Sequence, residues 1–312
     1  MLKYTGGFFL GVSLGANDGA NVFGTAVASR MVKYMTAVLL ASTFIIIGSF
    51  LEGTAGIETL RNITTQNAGT AFICTFAAAL TVTIMTLLRL PVSTSQAAMG
   101  AIIGIGIIND NVNLWGLQKV ILCWVSTPVG GMIFSVILYA SVIRIFRYLP
   151  LNLFQADSLI RLLLILGGCY GAYALGANNA ANVVGVYAST SPINLHLLSL
   201  MGGISISLGI ILFSRPVMMT IGKNLVKLDA FSSMIVLYAH SLTVHLYAKI
   251  GVPVSSSQAV VGAVLGIGVI KGLQTVRGNV LGGIALGWLG TPAVAAGFSV
   301  LLYHGKIHEW IR

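Results

Sequence analysis

The chain has 312 residues, of which 56% are hydrophobic and only 8% charged, and its formal net charge is +10. A soluble domain carries about 25% charged residues, so a mean hydropathy of +0.94 excludes a water-covered globule. The basic residues stand singly in short loops, which is the pattern of membrane topology and not of a nucleic-acid-binding surface.

Apolar runs fall near 5–28, 35–51, 68–88, 92–109, 120–143, 159–188, 195–214, 230–248, 253–270 and 280–303. Most approach the ~20 residues an α-helix needs to cross a bilayer. They are continuous and not alternating, so they predict helices and not a β-barrel. The start resembles a signal peptide with Ala26-Val27-Ala28 as its cleavage site, but the same segment recurs internally at 174–190 and is read as part of the machine. Cys74, Cys123 and Cys169 stand singly in apolar runs and predict neither disulfides nor metal ligands.

Three blocks repeat. LGANDGANVFG (14–24) matches LGANNAANVVG (175–185) at eight of eleven positions, and PVSTSQAAMGAIIGIGII (91–108) matches PVSSSQAVVGAVLGIGVI (253–270) at twelve of eighteen. WVSTPVGGMIFSVILY (124–139) resembles WLGTPAVAAGFSVLLY (288–303). The expected architecture is all-α and polytopic, with a first repeat over 1–150 and a second over 151–312. Five crossings in each copy would turn the second copy over. An outside N-terminus puts eleven of the seventeen basic residues inside, among them Arg30, Arg89, Lys227 and Arg277, and leaves Lys3, Arg61, Lys119, Lys249, Lys306 and Arg312 outside. Inverted repeats with helices broken or re-entrant near the midplane are a secondary-transporter design.

The polar islands carry the chemistry. Pro91 and Pro253 end whatever helix reaches them. Ser93 with Gln96, and Ser255 with Gln258, then form the capping-box pattern, in which serine caps the third amide and glutamine reaches back. Each motif predicts a helix start at membrane depth, where free N–H groups and the helix dipole favour an anion. Thr94, Ser95, Ser256 and Ser257 add hydroxyl donors. In the other islands, Asn17, Asp18 and Asn21, and Asn178, Asn179 and Asn182, offer hard oxygens that suit Na+. Gly15, Gly19 and Gly24 would leave room for close backbone approach or an unwound turn. Interhelical hydrogen bonding is the competing role for Asn21 and Asn182. Asp18 is an acid deep in a span, a costly placement that marks an ion path. His240 and His245 share a span on different faces and are expected to be satisfied by neighbours.

GANDGAN and GANNAAN, taken with PVSTSQ and PVSSSQ, resemble the signatures of the PiT family of inorganic phosphate transporters, over nearly the whole chain. The resemblance implies symport of phosphate driven by Na+ or H+ through alternating access in a multi-pass inner (plasma) membrane protein, with no cofactor, and a homodimer in the lipid bilayer. It implies that Asn17, Asp18, Asn21, Asn178, Asn179 and Asn182 bind the cation. Ser93, Thr94, Ser95 and Gln96, with Ser255, Ser256, Ser257 and Gln258, would bind the anion. GIETLRN (56–62) resembles the family's ETIR-like stretch, pointing to Glu58 and Arg61 as gating or ligand residues. Many members read PVSTTH, so Gln96 and Gln258 remove a proton carrier and shift the weight to Na+. Compact relatives are associated with sulfate, which is the alternative substrate. A passive anion channel is the alternative from another class, and nothing in the sequence pairs a nucleophile with a base as an enzyme would need.

Overall fold

A computed structural model describes residues 2–88, 92–224, 228–272 and 278–307, with the side chains of 220–224 and 278–285 left out. Arg89, Pro91, Lys227, Arg277 and Arg312 therefore lie outside the described residues. The elements in order are α1 (Thr5–Ala28), α2 (Tyr34–Glu52), α3 (Thr54–Arg61), α4 (Ala68–Leu87), α5 (Thr94–Ile108) and α6 (Leu114–Tyr148). They continue with α7 (Leu153–Val184), α8 (Leu195–Asn224), α9 (Ala230–Ile250), α10 (Ser256–Lys271) and α11 (Gly278–His304). No strand occurs among the described residues.

The helices begin where short polar side chains cap them. Asn67 and Thr70 form a reciprocal capping box on α4, as Asn152 and Gln155 do on α7. Asn113 caps α6 and Asp229 caps α9. Among the described residues, six segments are long and apolar enough to cross a membrane: Tyr34–Glu52, Ala68–Leu87, Leu114–Tyr148, Leu153–Tyr187, Leu195–Met219 and Leu286–His304. At 15 and 16 residues, α5 and α10 are shorter than the expected runs. At 1.5 Å per residue each is roughly 22–24 Å long, less than a hydrocarbon core of about 30 Å.

Two differences from the sequence reading follow. The polar residues of the islands do not sit on unwound turns: α1 runs through the first island, and α7 continues to Val184 before a 3-10 turn at Gly185–Tyr187. The interruptions sit instead between α4 and α5 and between α9 and α10, at the proline motifs. In addition, the sequence offered no signal for α3, an eight-residue helix stacked after α2.

The two repeats pack crosswise. α1 lies along α8, and α2 lies along α7. A Cβ on Gly15 would overlap the Ile206 carbonyl, and one on Gly176 would overlap the Ile45 carbonyl. These are the same contact made twice with the halves exchanged. Likewise α5 packs on α11 and α10 on α6, with Gly100 against the backbone of Pro292 and Gly262 against that of Pro128. Both prolines sit inside their helices, where the missing N–H frees a carbonyl one turn earlier. The Gly-Ile-Gly runs of α5 and α10 thus serve close packing, as Gly104 against Ala296 and Ser299 illustrates. All three cysteines are free, Cys74 and Cys169 buried.

Candidate functional site

Crosswise packing brings the four polar islands to one place. Asp18 lies about midway along α1 and is 2% exposed. Thr94, the first residue of α5, donates its hydroxyl to Asp18 Oδ2 at 2.8 Å. Asn17 Nδ2 donates to Oδ1 at 2.9 Å, and Asn179 Nδ2 from the other half donates to Oδ2 at 3.5 Å. Among the described residues no basic side chain pairs with this carboxylate; the ion pairs there join Glu52 to His245 and Lys249, and Asp229 to Lys271. A buried carboxylate held only by neutral donors is short of positive charge, and a cation placed beside it would supply what desolvation removed.

The second island is threaded into the same network. Asn179 Oδ1 accepts from Asn178 Nδ2 at 3.2 Å and from Asn182 Nδ2 at 2.8 Å. Asn182 also donates to Ser95 Oγ at 2.9 Å, while its own Oδ1 is buried without a hydrogen-bond partner. Asn178 exchanges two bonds with the backbone of Val254, donating to its carbonyl at 2.8 Å and accepting from its N–H at 2.9 Å. The residue before the second helix start is therefore clamped by the second asparagine island.

The helix starts face each other. Ser95 donates to the Val254 carbonyl at 2.8 Å, and Ser257 donates to the Val92 carbonyl at 3.5 Å. Each start thus bonds the strand of backbone leading into the other. Ser93 and Ser255 cap their helices by accepting from the N–H groups of Gln96 at 3.4 Å and Gln258 at 3.3 Å. Ser255 and Ser257 share a hydrogen bond at 3.0 Å. The reach-back expected of the glutamines does not occur: Gln96 Oε1 and Gln258 Oε1 are buried without partners. Two helix N-termini meet here, each with the partial positive charge of its dipole. The asparagine islands bond directly to these starts, Asp18 to Thr94 and Asn182 to Ser95.

Of the predicted residues, the four islands come together and Glu58 and Arg61 do not. Both are exposed on α3, with no bond to the central network. The short helix itself touches the site's frame, because Gly56 faces Ala181 of α7 and Pro253. Two contributors were missed. Val254 enters through its backbone, which no side-chain pattern signals. His240 on α9 enters through Nε2, 2.8 Å from Ser256 Oγ. Aligning the repeats would have pointed to it, since at the offset of the proline motifs His240 stands where the first copy has Ala78.

His245, on another face of α9, is fully partnered: Nδ1 with Tyr170 Oη at 2.8 Å and Nε2 with Glu52 Oε2 at 2.8 Å. Lys249 completes this tie at 2.8 Å from Glu52 Oε1.

A helical bundle of membrane-spanning length around a buried centre of hard oxygens and helix N-termini defines a multi-pass membrane transport protein and not an enzyme. The chain belongs to the phosphate transporter family, whose sequence profile matches residues 14–299. It is 30% identical over 288 residues to a "Putative phosphate permease" of Methanocaldococcus jannaschii, covering 92% of this chain and 91% of that one. It is 26% identical over 302 residues to a sulfate permease of Bacillus subtilis, covering 94% and 84%. A solved structure titled "The sodium-dependent phosphate transporter" superposes with a TM-score of 0.88 over 97% of this chain and 98% of that chain, at 24% identity, and so shares the fold.

Proposed function

We propose that the protein is a cation-driven symporter of inorganic phosphate, working by alternating access with Na+ as the coupling ion. The observation that carries this reading is the 2.8 Å hydrogen bond from Thr94 to Asp18. It joins the one acidic side chain of the centre to a helix start, so a cation at Asp18 would alter the charge felt by an anion at α5. The cation set is Asn17, Asp18 and Asn21 with Asn178, Asn179 and Asn182. The anion set is the backbone of the two helix starts with Ser93, Thr94, Ser95, Gln96, Ser255, Ser256, Ser257 and Gln258. Without a lysine or arginine among its partners, a bound phosphate would be held by N–H and O–H donors and by its co-transported cation. Release would then be coupled to departure of the cation.

The contacts that recur when the halves are exchanged support the two-repeat division at 150/151. Halves that are inverted copies would swap conformations to open the centre to either side. Glu58 and Arg61 act at most at the rim, since they are exposed on α3. The match to a sulfate permease supports a second reading, sulfate as the anion in the same site, because the helix starts recognise a tetrahedral oxyanion through donors that either would satisfy.

One experiment separates these readings. Protein reconstituted in liposomes is supplied with labelled phosphate or sulfate under an imposed Na+ gradient or an imposed pH gradient. Accumulation of phosphate above equilibrium under the Na+ gradient is the expected result. Accumulation of sulfate alone overturns the substrate, uptake that follows only pH overturns the coupling ion, and uptake that merely equilibrates makes the protein a channel.

A further inference from the structure

We propose that His240 is the second half's counterpart of Asp18, a positioning residue that accepts the hydrogen bond of the Ser256 hydroxyl and makes that oxygen, with Asn21, a cation ligand. This rests on the cation-driven reading above and moves Ser256 from the anion set to the cation set.

The hydroxyls at the first residues of the two short helices are equivalent: Thr94 opens α5 and Ser256 opens α10. Thr94 gives its proton to a buried acceptor from a neighbouring helix, Asp18. By the repeat, Ser256 would give its own to Asn179, but Asn179 turns its Oδ1 to Asn178 and Asn182. Instead His240, 0% exposed, brings Nε2 to 2.8 Å from Ser256 Oγ. The two departures from repeat symmetry, Asp18 against Asn179 and Ala78 against His240, therefore compensate each other. Each half keeps one acceptor for its helix-start hydroxyl and draws it from a different helix.

The direction of the His240 bond follows from its neighbours. Asn21 Nδ2 donates to Ser256 Oγ at 3.2 Å, so the serine oxygen already accepts once and its proton is free to point elsewhere. His240 Nδ1 is buried without a partner. If Nε2 carried the imidazole proton, both the serine proton and bare Nδ1 would stand unpartnered; with the proton on Nδ1, only that N–H does. The arrangement with fewer orphaned polar groups is favoured, and in it Nε2 accepts from Ser256. With its proton directed at His240 and one lone pair taken by Asn21 Nδ2, Ser256 Oγ keeps its other lone pair for the site. That suits a cation and not an anion. The cost of an unpartnered Nδ1–H in the protein interior is borne at a residue that orders a ligand.

The test uses the purified full-length protein, with Na+ titrated against choline at constant ionic strength and its binding read as a rise in melting temperature, and uptake measured in liposomes alongside. His240→Leu and Ser256→Ala should each raise the half-saturating Na+ concentration about tenfold, the scale of one lost orienting hydrogen bond. The double variant should add less than about twofold to either, because the two residues act through one contact. The KM for the accumulated oxyanion at saturating Na+ should change less than the Na+ midpoint. His240→Gln, which keeps an acceptor of similar reach, should restore most of the Na+ affinity. His240→Asn, too short to reach Ser256, carries the same expectation as His240→Leu if the leucine variant does not fold. Additive effects of the two sites, a raised anion KM with an intact Na+ midpoint, or no rescue by glutamine would each overturn the proposal. Failure of the symport reading shows separately, as a wild type without Na+-driven uptake.

Discussion

At the scale of single residues, Asp18 is the sharpest case. Its carboxylate is buried among amides and one hydroxyl, with no cationic side chain bonded to it among the described residues. Asp18→Asn removes an uncompensated charge from the interior, so the folded protein should melt at the same temperature or higher. Gradient-driven uptake should nevertheless be abolished. Normal Na+-driven accumulation by this variant would sink the cation-site assignment. The carboxylate's importance was legible in the sequence because an acid in a span is costly wherever it points. Its partners were not. Thr94 is 76 residues away and Asn179 is 161 away, and only packing brings such positions together. The glutamines show the opposite failure: Ser93-x-x-Gln96 has the spacing of a capping box, yet only the serine half forms. Spacing specifies that a side chain can reach back, and the competing environment of the site decides whether it does.

Helices as elements were legible from their continuous apolar runs, and at the two proline motifs from the capping serines as well. Asn67, Asn152, Asp229 and the two motif serines each stand where a helix starts. α3 was missed because eight residues with two charges match no membrane period. Close approach between helices is where the glycines act, and it yields a paired prediction. Gly176→Leu would drive a side chain into the Ile45 carbonyl, whereas a Cβ on Gly297 would meet nothing within 4 Å beyond its own stretch of helix. Overpacking a tight contact costs about 1–3 kcal/mol or more, so Gly176→Leu should lower the melting temperature by several degrees or prevent a monodisperse preparation. Gly297→Leu should behave as wild type in the same measurement. Equal tolerance at both positions would mean that α2 and α7 are not in close contact.

For the whole molecule, the repeat was legible from sequence identity, but its orientation is a separate matter. Loops α1–α2 and α7–α8 occupy equivalent places in the two copies, and Lys33 and Asn194 are exposed in them. In a variant lacking the three native cysteines, Lys33→Cys and Asn194→Cys should react with a membrane-impermeant maleimide from opposite faces of the membrane if the copies are inverted. Labelling of both from one face would overturn the inversion and with it the mechanical basis for exchanging two open states. The Glu52, His245 and Lys249 tie bears on the same exchange, since it fastens the end of α2 from the first half to α9 of the second.

Crosswise packing also constrains how the protein is made. When residue 150 enters the bilayer, α5 and α6 are in place, but their neighbours α11 and α10 have not been synthesised. Another 162 residues remain, the difference between 312 and 150, and at about 5–20 residues per second their synthesis takes roughly ten to thirty seconds. During that interval glycine faces built for a partner's backbone stand open, and Asp18 lacks the amide of Asn179. Biogenesis therefore includes an interval in which one half of the centre stands in the bilayer before its other half arrives.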